Sequence, residues 1–385
     1  MIKTETLFEK ALRVQDFAIE EENGKQKKIC TKSEKLELIE ITNLSKYVEE
    51  IEKLNSSSIN PVFYRGQTNA NWLQTPSSLR TNSEHENLMI DMFMQRFPNE
   101  FANRTNNLDK LSLMQHFQLK TRLMDITESP FAALYFACQP MKKFGNPKQN
   151  ENCYGSIFLY QEYSENEKIF PDELKYSSSR TASIIASTAF MKKEFCGGNL
   201  EMEYLRDRQE PQHLTNFLHF KDIISRSVIV RVKRDNPRII NQQGAFILCN
   251  ANKIKFVTDF NDNELFDLMN YINTDEGRWL NLDYDRCSNS PFEKKLQEKN
   301  LWNFIFEKIE PYSLENKMEW MRRDPFDFEK IYYKNSKNKQ VIFLIPPAAK
   351  PELLKELEKF NFTEDFIYPD MDNVANEINL RFSGF

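Results

Sequence analysis

The chain has 385 residues, a mass of 45.8 kDa and a formal net charge of −5, and 28% of its residues are charged. Its longest purely hydrophobic run, Phe131–Cys138, is far shorter than the roughly 20 residues that a membrane-spanning helix needs, so no membrane segment is expected. The first residues, Met1–Glu5, contain no apolar signal region, and this favours a cytoplasmic location.

The sequence lacks the standard nucleotide-binding and metal-binding motifs. It has nine glycines and contains neither G-x-G-x-x-G nor G-x-x-x-x-G-K-[ST], so a bound nucleotide would need another phosphate grip, most naturally arginine. The six cysteines and four histidines show no zinc-ligand spacing, so no metal site is predicted and free thiols are expected. The negative net charge also disfavours a broad basic surface for nucleic acid.

In the N-terminal part, residues 19–35 are charged and poor in apolar side chains, which predicts an exposed loop. A weak strand is predicted at Leu36–Ile41, where the apolar alternation slips by one residue. Apolar residues at helical spacing predict helices at Ser45–Leu54 and Glu86–Phe97. Between them, the apolar run Val62–Gly66 is typical of a short buried strand that ends at a glycine.

After a further predicted helix at Leu111–Phe117, Ser129 and Pro130 are a typical N-cap and first-turn residue for a buried helix. The remaining predicted elements are strands at Gly155–Tyr160, Arg226–Val232, Gly244–Cys249 and Val341–Ile345, and helices at Glu264–Ile272, Phe292–Ile309 and Pro351–Phe360. The second and third of these strands are close in sequence and are expected to pair. The irregular order of elements indicates an α+β fold with a mixed sheet and flanking helices.

Three divisions of the chain are predicted from this organisation. Residues 1–35 form an N-terminal extension, residues 36–250 form the core domain, and residues 251–385 form a C-terminal α/β extension that packs on the core.

The first candidate segment for ligand binding runs from Phe63 to Arg80 and contains two arginines. Arg65 and Gln67 follow an apolar strand, where a guanidinium can reach a cleft and hold phosphate or carboxylate through two hydrogen bonds. Arg80 ends the polar segment that begins at Trp72. The alternative role for Arg65 is structural, in an ion pair with a nearby carboxylate.

The segment from Met114 to Pro130 places many hydrogen-bonding side chains among apolar ones. Its candidates are His116, Arg122, Asp125, Thr127 and Ser129. A helix N-terminus after Ser129 would favour an anion. The structural alternatives are a core histidine at His116, an ion pair between Arg122 and Asp125, and simple helix capping by Thr127 or Ser129.

A third polar segment, Arg238–Phe246, contains Gln242 and Gly244. In an extended strand, Gln242, Gly244 and Phe246 would share one face. Gly244 would then let a ligand or another backbone approach closely. A fourth segment, Phe366–Asp372, is a turn near the C-terminus.

Together these segments resemble the FRG domain family, which is named for a Phe-Arg-Gly motif. Phe63–Gln67 corresponds to that motif, and Gln115–Ala137 follows the family pattern Q-H-[YF]-G-L-x-T-R-L-L-D-W-[TS]-x-x-P closely. Further matching segments are Trp72–Arg80, Arg238–Phe246 and Tyr368–Asp372. The departures are Tyr64 in place of Phe, Gln118 in place of Gly and Ile126 in place of Trp.

The order of these residues also resembles, more weakly, that of ADP-ribosyltransferases. Arg65, then Thr127 or Ser129, then Gln242 would occupy the arginine, serine/threonine and glutamate/glutamine positions of those enzymes. The resemblance implies NAD as substrate, held by Arg65 with Arg80 or Arg122. Because Gln242 is neutral, Asp125 or Glu128 would supply the negative charge that an oxocarbenium-like transition state needs.

Three hypotheses of function follow. The first is an NAD-using ADP-ribosyltransferase-like or NAD glycohydrolase enzyme. The resemblance implies for it an intracellular toxin or phage-defence role, a protein or nucleic-acid acceptor, and a neutralising partner protein. The second is a non-catalytic module that binds a nucleotide or a protein through the same cleft. The third is a protein that acts on nucleic acid, and the net charge and missing metal ligands count against it.

Overall fold

The structure is a computed structural model, and no helix in the part it describes is long and apolar enough to cross a membrane. The described residues are 6–22, 26–55, 61–79, 86–104, 106–140, 152–161, 182, 186–190, 194–196, 227–249, 252–256, 317–322, 328 and 331–369.

Helices and strands alternate irregularly along the chain. The helices are α1 (Leu7–Val14), α2 (Leu44–Asn55), α3 (Glu86–Arg96), α4 (Pro98–Phe101), α5 (Asn107–His116), α6 (Pro130–Cys138), α7 (Pro237–Asn241), α8 (Lys350–Glu358) and α9 (Glu364–Ile367). The strands are β1 (Phe17–Glu22), β2 (Gln26–Thr31), β3 (Leu36–Glu40), β4 (Val62–Gln67), β5 (Leu123–Thr127), β6 (Gly155–Gln161), β7 (Glu194–Cys196), β8 (Val228–Val230), β9 (Gly244–Leu248), β10 (Asn252–Phe256), β11 (Lys317–Arg322) and β12 (Gln340–Ile345).

Seven strands form a mixed sheet in the order β3-β12-β6-β4-β5-β9-β8. Only the β12–β3 pair is parallel, and the other five neighbouring pairs are antiparallel. The predicted pairing of β8 with β9 is confirmed. Helices together with a mixed sheet confirm the α+β prediction. Two smaller sheets consist of β1-β2 and of β10-β11-β7.

The two faces of the seven-stranded sheet bury separate apolar clusters, as the alternation of side chains along each strand requires. On the helix face, Tyr64 of β4 packs in one cluster with residues of α2, α6 and α8. On the hairpin face, Phe63 and Phe158 pack in a second cluster with Phe17 of the β1-β2 hairpin. Every side chain of β4 and β5 can therefore be assigned to one face.

Helix α6 lies directly on β4, and Gly66 makes this contact possible. Ser129 is the N-cap of α6 and Pro130 its first residue, which confirms the sequence prediction. A Cβ atom at Gly66 would lie 1.9 Å from the Ala133 carbonyl oxygen and 2.8 Å from the Ala137 nitrogen. The glycine of the Phe-Arg-Gly motif thus has a structural role, because no larger residue leaves room for the helix.

Two sequence predictions in this part are wrong. Residues 19–35, predicted to be a loop, contain most of the β1-β2 hairpin. Its register sets Glu20 opposite Lys28, so residues of opposite charge are cross-strand neighbours where apolar residues are few. The segment Leu123–Thr127, for which no strand was predicted, is a central strand of the sheet.

Most other predicted elements are present within one to four residues of their predicted ends. The predicted helices Glu264–Ile272 and Phe292–Ile309 lie outside the described residues. The division of the chain near residue 250 stays a prediction. The sheet itself crosses that point, because β12 lies between β3 and β6.

Candidate functional site

An exposed carboxylate interrupts the helix face of the sheet. Asp125 lies in the middle of β5, which is flanked on both sides by other strands, yet its side chain is exposed. Its neighbours Met124 and Ile126 point to the hairpin face and are only 1% and 4% exposed. An exposed residue on a central strand requires an opening above the sheet. We call this opening the Asp125 cleft and define it by Asp125, Gln115, Arg238 and Tyr368.

A chain of hydrogen bonds orients the Asp125 carboxylate. The Gln115 amide nitrogen donates to Asp125 Oδ1 at 2.8 Å. The Thr121 hydroxyl donates to the Gln115 amide oxygen, and Thr121 Oγ1 accepts the Leu123 N–H at 3.2 Å. Because the threonine occupies the amide oxygen, the amide N–H groups of Gln115 face the aspartate. The carboxylate is thus held by a neutral donor.

Helix α5 brings Gln115 to this position and ends immediately afterwards in a Schellman motif. The Leu119 N–H donates to the Met114 carbonyl at 3.0 Å and the Gln118 N–H donates to the Gln115 carbonyl at 2.9 Å. Gln118 has φ 65°, the left-handed conformation that favours glycine. This explains why the family pattern has glycine at the position of Gln118.

Arg238 and Tyr368 lie near Asp125, because the charge of Asp125 acts on the Tyr368 hydroxyl. The Arg238 guanidinium lies over the Tyr368 ring, 5.2 Å from its centroid, and the Tyr368 hydroxyl donates to Gln139 Oε1 at 2.9 Å. The pKa of Tyr368 is raised, and burial is the largest cause. The charge of Asp125 also raises it, whereas the hydrogen bond to Gln139 and the charge of Arg238 lower it. The charges of Arg238 and Asp125 therefore both act on this one hydroxyl.

The predicted residue Arg65 lies on the other face of the sheet. Its side chain shares the hairpin face with Phe63, whereas Asp125 is on the helix face. Arg65 Nη1 donates to the Asp125 carbonyl at 2.5 Å. Strands β4 and β5 have one register pair, Tyr64 with Thr127. Beyond that pair, the Arg65 guanidinium links the two strands through its hydrogen bond to the Asp125 carbonyl. Two of the three predicted catalytic residues, Arg65 and Asp125, are therefore linked through the main chain of Asp125.

Gln67 is buried beside Arg65, on the same face. Gln67 Oε1, Arg65 Nε, Ser156 Oγ and the Tyr160 hydroxyl are buried polar atoms without a hydrogen-bond partner among the residues that the structure describes. Ser156 is directly opposite Gln67 in the β4–β6 register. This places a polar patch within the otherwise apolar hairpin face, separated from the Asp125 cleft by the sheet.

Arg122 is fully engaged in a buried ion pair with Glu86. Arg122 Nε and Nη2 donate to Glu86 Oε2 at 3.0 and 2.7 Å, and the Arg122 N–H donates to Glu86 Oε1 at 3.0 Å. The Ser78 hydroxyl donates to Glu86 Oε1 at 3.3 Å. We call Glu86, Arg122 and Ser78 the Glu86 cluster.

The ion pair that the sequence permitted between Arg122 and Asp125 is wrong. The two residues are three apart in an extended segment, so their side chains point to opposite sides. Glu86, the first residue of α3, is the partner instead, and the sequence analysis did not identify it.

Thr127, Ser129 and Gln242 are brought together, but in bonds that support the fold. The Thr127 hydroxyl donates to the Gln242 carbonyl at 2.5 Å and accepts the Ser129 N–H at 2.8 Å. Ser129 Oγ caps α6 by accepting the Ala132 N–H at 3.2 Å. The Gln242 amide nitrogen donates to the Ile367 carbonyl at 2.8 Å.

The predicted strand position of Gln242 is wrong. Gln242 is the C-cap of α7, and Gln243 has φ 47°, so β9 begins only at Gly244. No helix was predicted here, although Asn236 and Pro237 are a typical N-cap and first-turn residue. A Cβ atom at Gly244 would meet Ile239 at 3.6 Å, an ordinary contact, so no close backbone approach requires this glycine.

The remaining predicted residues contribute less to the cleft. His116 is the last residue of α5, and its ring contacts Phe117 with 5.2 Å between centroids. Arg80 lies outside the described residues. Glu128 is bound by Arg231 at 2.7 Å and by Arg234 at 2.9 Å, so it is already paired. Within the described part of the chain, no three His, Cys, Asp or Glu side chains cluster as a metal site would require.

The fold and the site define an α+β protein with a polar cleft over the centre of a mixed sheet. The FRG domain family model matches residues 60–146, so the chain contains an FRG domain. That match includes β4, the Glu86 cluster, Asp125 and α6. Comparison with curated proteins and with solved structures gives no match. The likeness to ADP-ribosyltransferases rests on the sequence pattern alone.

Proposed function

We propose that this FRG-domain protein uses NAD and cleaves its nicotinamide–ribose bond in the Asp125 cleft. The observation that carries the proposal is the exposed, oriented carboxylate on a central strand. It lies on the sheet face that elsewhere packs against helices, and the Gln115 amide, itself bound by Thr121, holds it in place.

Cleavage of the nicotinamide–ribose bond needs a negative charge near the ribose, and the Asp125 carboxylate can supply it. When the bond between ribose C1′ and the nicotinamide nitrogen breaks, its electron pair leaves with nicotinamide and the ribose takes an oxocarbenium-like positive charge. A fixed negative group close to that charge lowers the barrier, because it needs no reorganisation. The C1′ carbon then bonds to an oxygen of water or of an acceptor, which releases a proton to solvent.

Asp125 is a better candidate for this role than Glu128. Two arginines already neutralise Glu128, whereas the only side-chain donor to the Asp125 carboxylate among the described residues is the neutral Gln115 amide. Asp125 therefore keeps its full charge for the ligand. Arg65 would act as a positioning residue, since it fixes the main chain of Asp125 from the hairpin face.

The biological setting belongs to the same proposal and rests on the family resemblance. It comprises a cytoplasmic toxin or phage-defence effector, a protein or nucleic-acid acceptor, and a partner protein that neutralises it.

The test is nicotinamide release from NAD by the full chain. Asp125→Asn keeps the shape of the side chain and removes the charge, so we expect release to fall about 10²–10³-fold, as when one stabilising group is removed from an active site. Asp235→Asn is the matched control, because Asp235 is 43% exposed and pairs with Arg104. It should leave release unchanged. Absence of release by the wild type, with no rise in melting temperature on adding NAD, would overturn the proposal.

A second candidate is a non-catalytic nucleotide-binding module. The observation that favours it is that Thr127, Ser129 and Gln242, which the transferase pattern would place at the ligand, are used in bonds within the fold. This candidate predicts that NAD raises the melting temperature of the wild type without release of nicotinamide.

A further inference from the structure

Arg238 is held rigidly at the cleft and keeps its hydrogen-bonding edge available. It is half-buried and lies over the Tyr368 ring. No carboxylate of the described residues forms an ion pair with it. The nearby Arg231 and Arg234 are different, because both are bound to Glu128.

The surrounding contacts fix the stacked pair in place. The Asn241 and Gln242 side-chain amides donate to the Phe366 and Ile367 carbonyls, each at 2.8 Å. These bonds hold α9 and the following Tyr368 against α7, which carries Arg238. The Tyr368 hydroxyl is also anchored, to Gln139. A guanidinium restrained in this way loses less conformational freedom when it binds a ligand.

A guanidinium that lies over an aromatic ring is well suited to binding phosphate. The Tyr368 ring covers one side of the Arg238 guanidinium, and the N–H groups of a guanidinium form a planar fork that fits two oxygens of a phosphate. Asp125 is near enough for its charge to raise the pKa of the same tyrosine hydroxyl. The cleft thus presents a negative group and a positive group to one ligand.

We propose that Arg238, stacked on Tyr368, binds a phosphate group of the nucleotide whose ribose meets Asp125. This inference rests on the proposed function, since it names the part of NAD that each charge would hold. The cationic nicotinamide ribose would lie at Asp125, and the pyrophosphate at Arg238. The segment Arg238–Phe246 was a candidate because it contains Gln242. In this proposal its first residue, Arg238, binds the ligand instead.

The test measures binding of ADP to the full chain by calorimetry, because ADP has the phosphates and lacks the scissile bond. Arg238→Gln should weaken ADP binding at least about tenfold, and Arg238→Lys should weaken it less, because a lysine keeps the charge and loses the fork. Tyr368→Leu, which removes the stacking surface, should also weaken binding. Arg234→Gln is the matched control on the neighbouring segment and should leave ADP affinity unchanged.

Kinetics with NAD give a second readout that separates this inference from the proposed function. Arg238→Gln should raise KM more than it lowers kcat, because the phosphate is remote from the bond that breaks. ADP binding that is lost in Arg238→Gln, without any NAD cleavage by the wild type, would support the phosphate site and overturn the catalytic proposal. NAD cleavage by the wild type, together with unchanged ADP affinity in Arg238→Gln, would support the catalytic proposal and overturn the phosphate site. Failure of the wild type to bind ADP would overturn the phosphate site.

Discussion

The Glu86 cluster and the Asp125 cleft use similar side chains and differ in what surrounds them. Both contain a carboxylate that lies within the segment that matches the FRG domain. The two Glu86 oxygens accept hydrogen bonds from Arg122 and Ser78, and Glu86 is 2% exposed. Among the described residues, one side chain donates to the Asp125 carboxylate, that of Gln115, and Asp125 faces solvent. The comparison shows that only part of a polar motif is available to a ligand, because burial commits the other part to the fold.

The largest expected difference between the Glu86 cluster and the Asp125 cleft is in how much each contributes to the free energy of unfolding. Glu86→Gln removes the partner of a buried arginine, and the free energy of unfolding should fall by about 3–5 kcal/mol because the Arg122 charge is left uncompensated. Asp125→Asn changes an exposed group and should alter stability by less than about 0.5 kcal/mol. Urea unfolding of both variants measures the contrast. Equal losses in the two variants would show that Asp125 also supports the fold.

The second test concerns the helix that packs beside the cleft. Gly66→Ala would press a methyl group into the backbone of α6, and we expect a loss of about 3 kcal/mol or a failure to fold. Gly244→Ala is the control, because its Cβ finds ordinary contacts and should cost less than about 1 kcal/mol. Unfolding curves and soluble yield report both variants. If Gly66→Ala is tolerated like Gly244→Ala, the close packing of α6 on β4 is refuted.

The smallest effect is expected at Gln118, between Gln115 of the cleft and Arg122 of the cluster. Because Gln118 has a left-handed backbone, Gln118→Gly should raise the free energy of unfolding by up to about 1 kcal/mol. Lys120→Gly, also at an exposed position, has no positive φ to relieve and should not stabilise the protein. The same unfolding experiment resolves the pair. Equal effects of the two glycines would argue against strain at Gln118.

Patterns among residues close together in sequence predicted the individual helices and strands that depend on them. Ser129 and Pro130 marked the start of α6, and the apolar run at Val62 marked β4. The β1-β2 hairpin was missed because its residues of opposite charge are neighbours across the strands, which spacing along the chain does not reveal. Strand β5 was missed because Asp125 interrupts an otherwise apolar run, and only the completed sheet explains why an aspartate is tolerated there.

The site was predicted in part for the same reason. Asp125 was identified as a candidate from its own segment. The partnership of Arg122 with Glu86 and the stacking of Arg238 on Tyr368 join residues 36 and 130 positions apart, and no sequence spacing reveals such pairs. Arg65 was correctly placed on a strand, but which face it would occupy relative to Asp125 depended on the β4–β5 register.

The position of β12 has a consequence for how the protein is made. This strand comes from residues 340–345 and lies between β3 and β6, in parallel register with Leu36–Glu40. During synthesis on the ribosome, β3 and β6 emerge long before the strand that joins them. The sheet can close only after residue 345 has emerged, so folding depends on contacts of very large sequence separation. Nascent chains that end before residue 340 will expose both unpaired strand edges, which are the natural sites for chaperone binding.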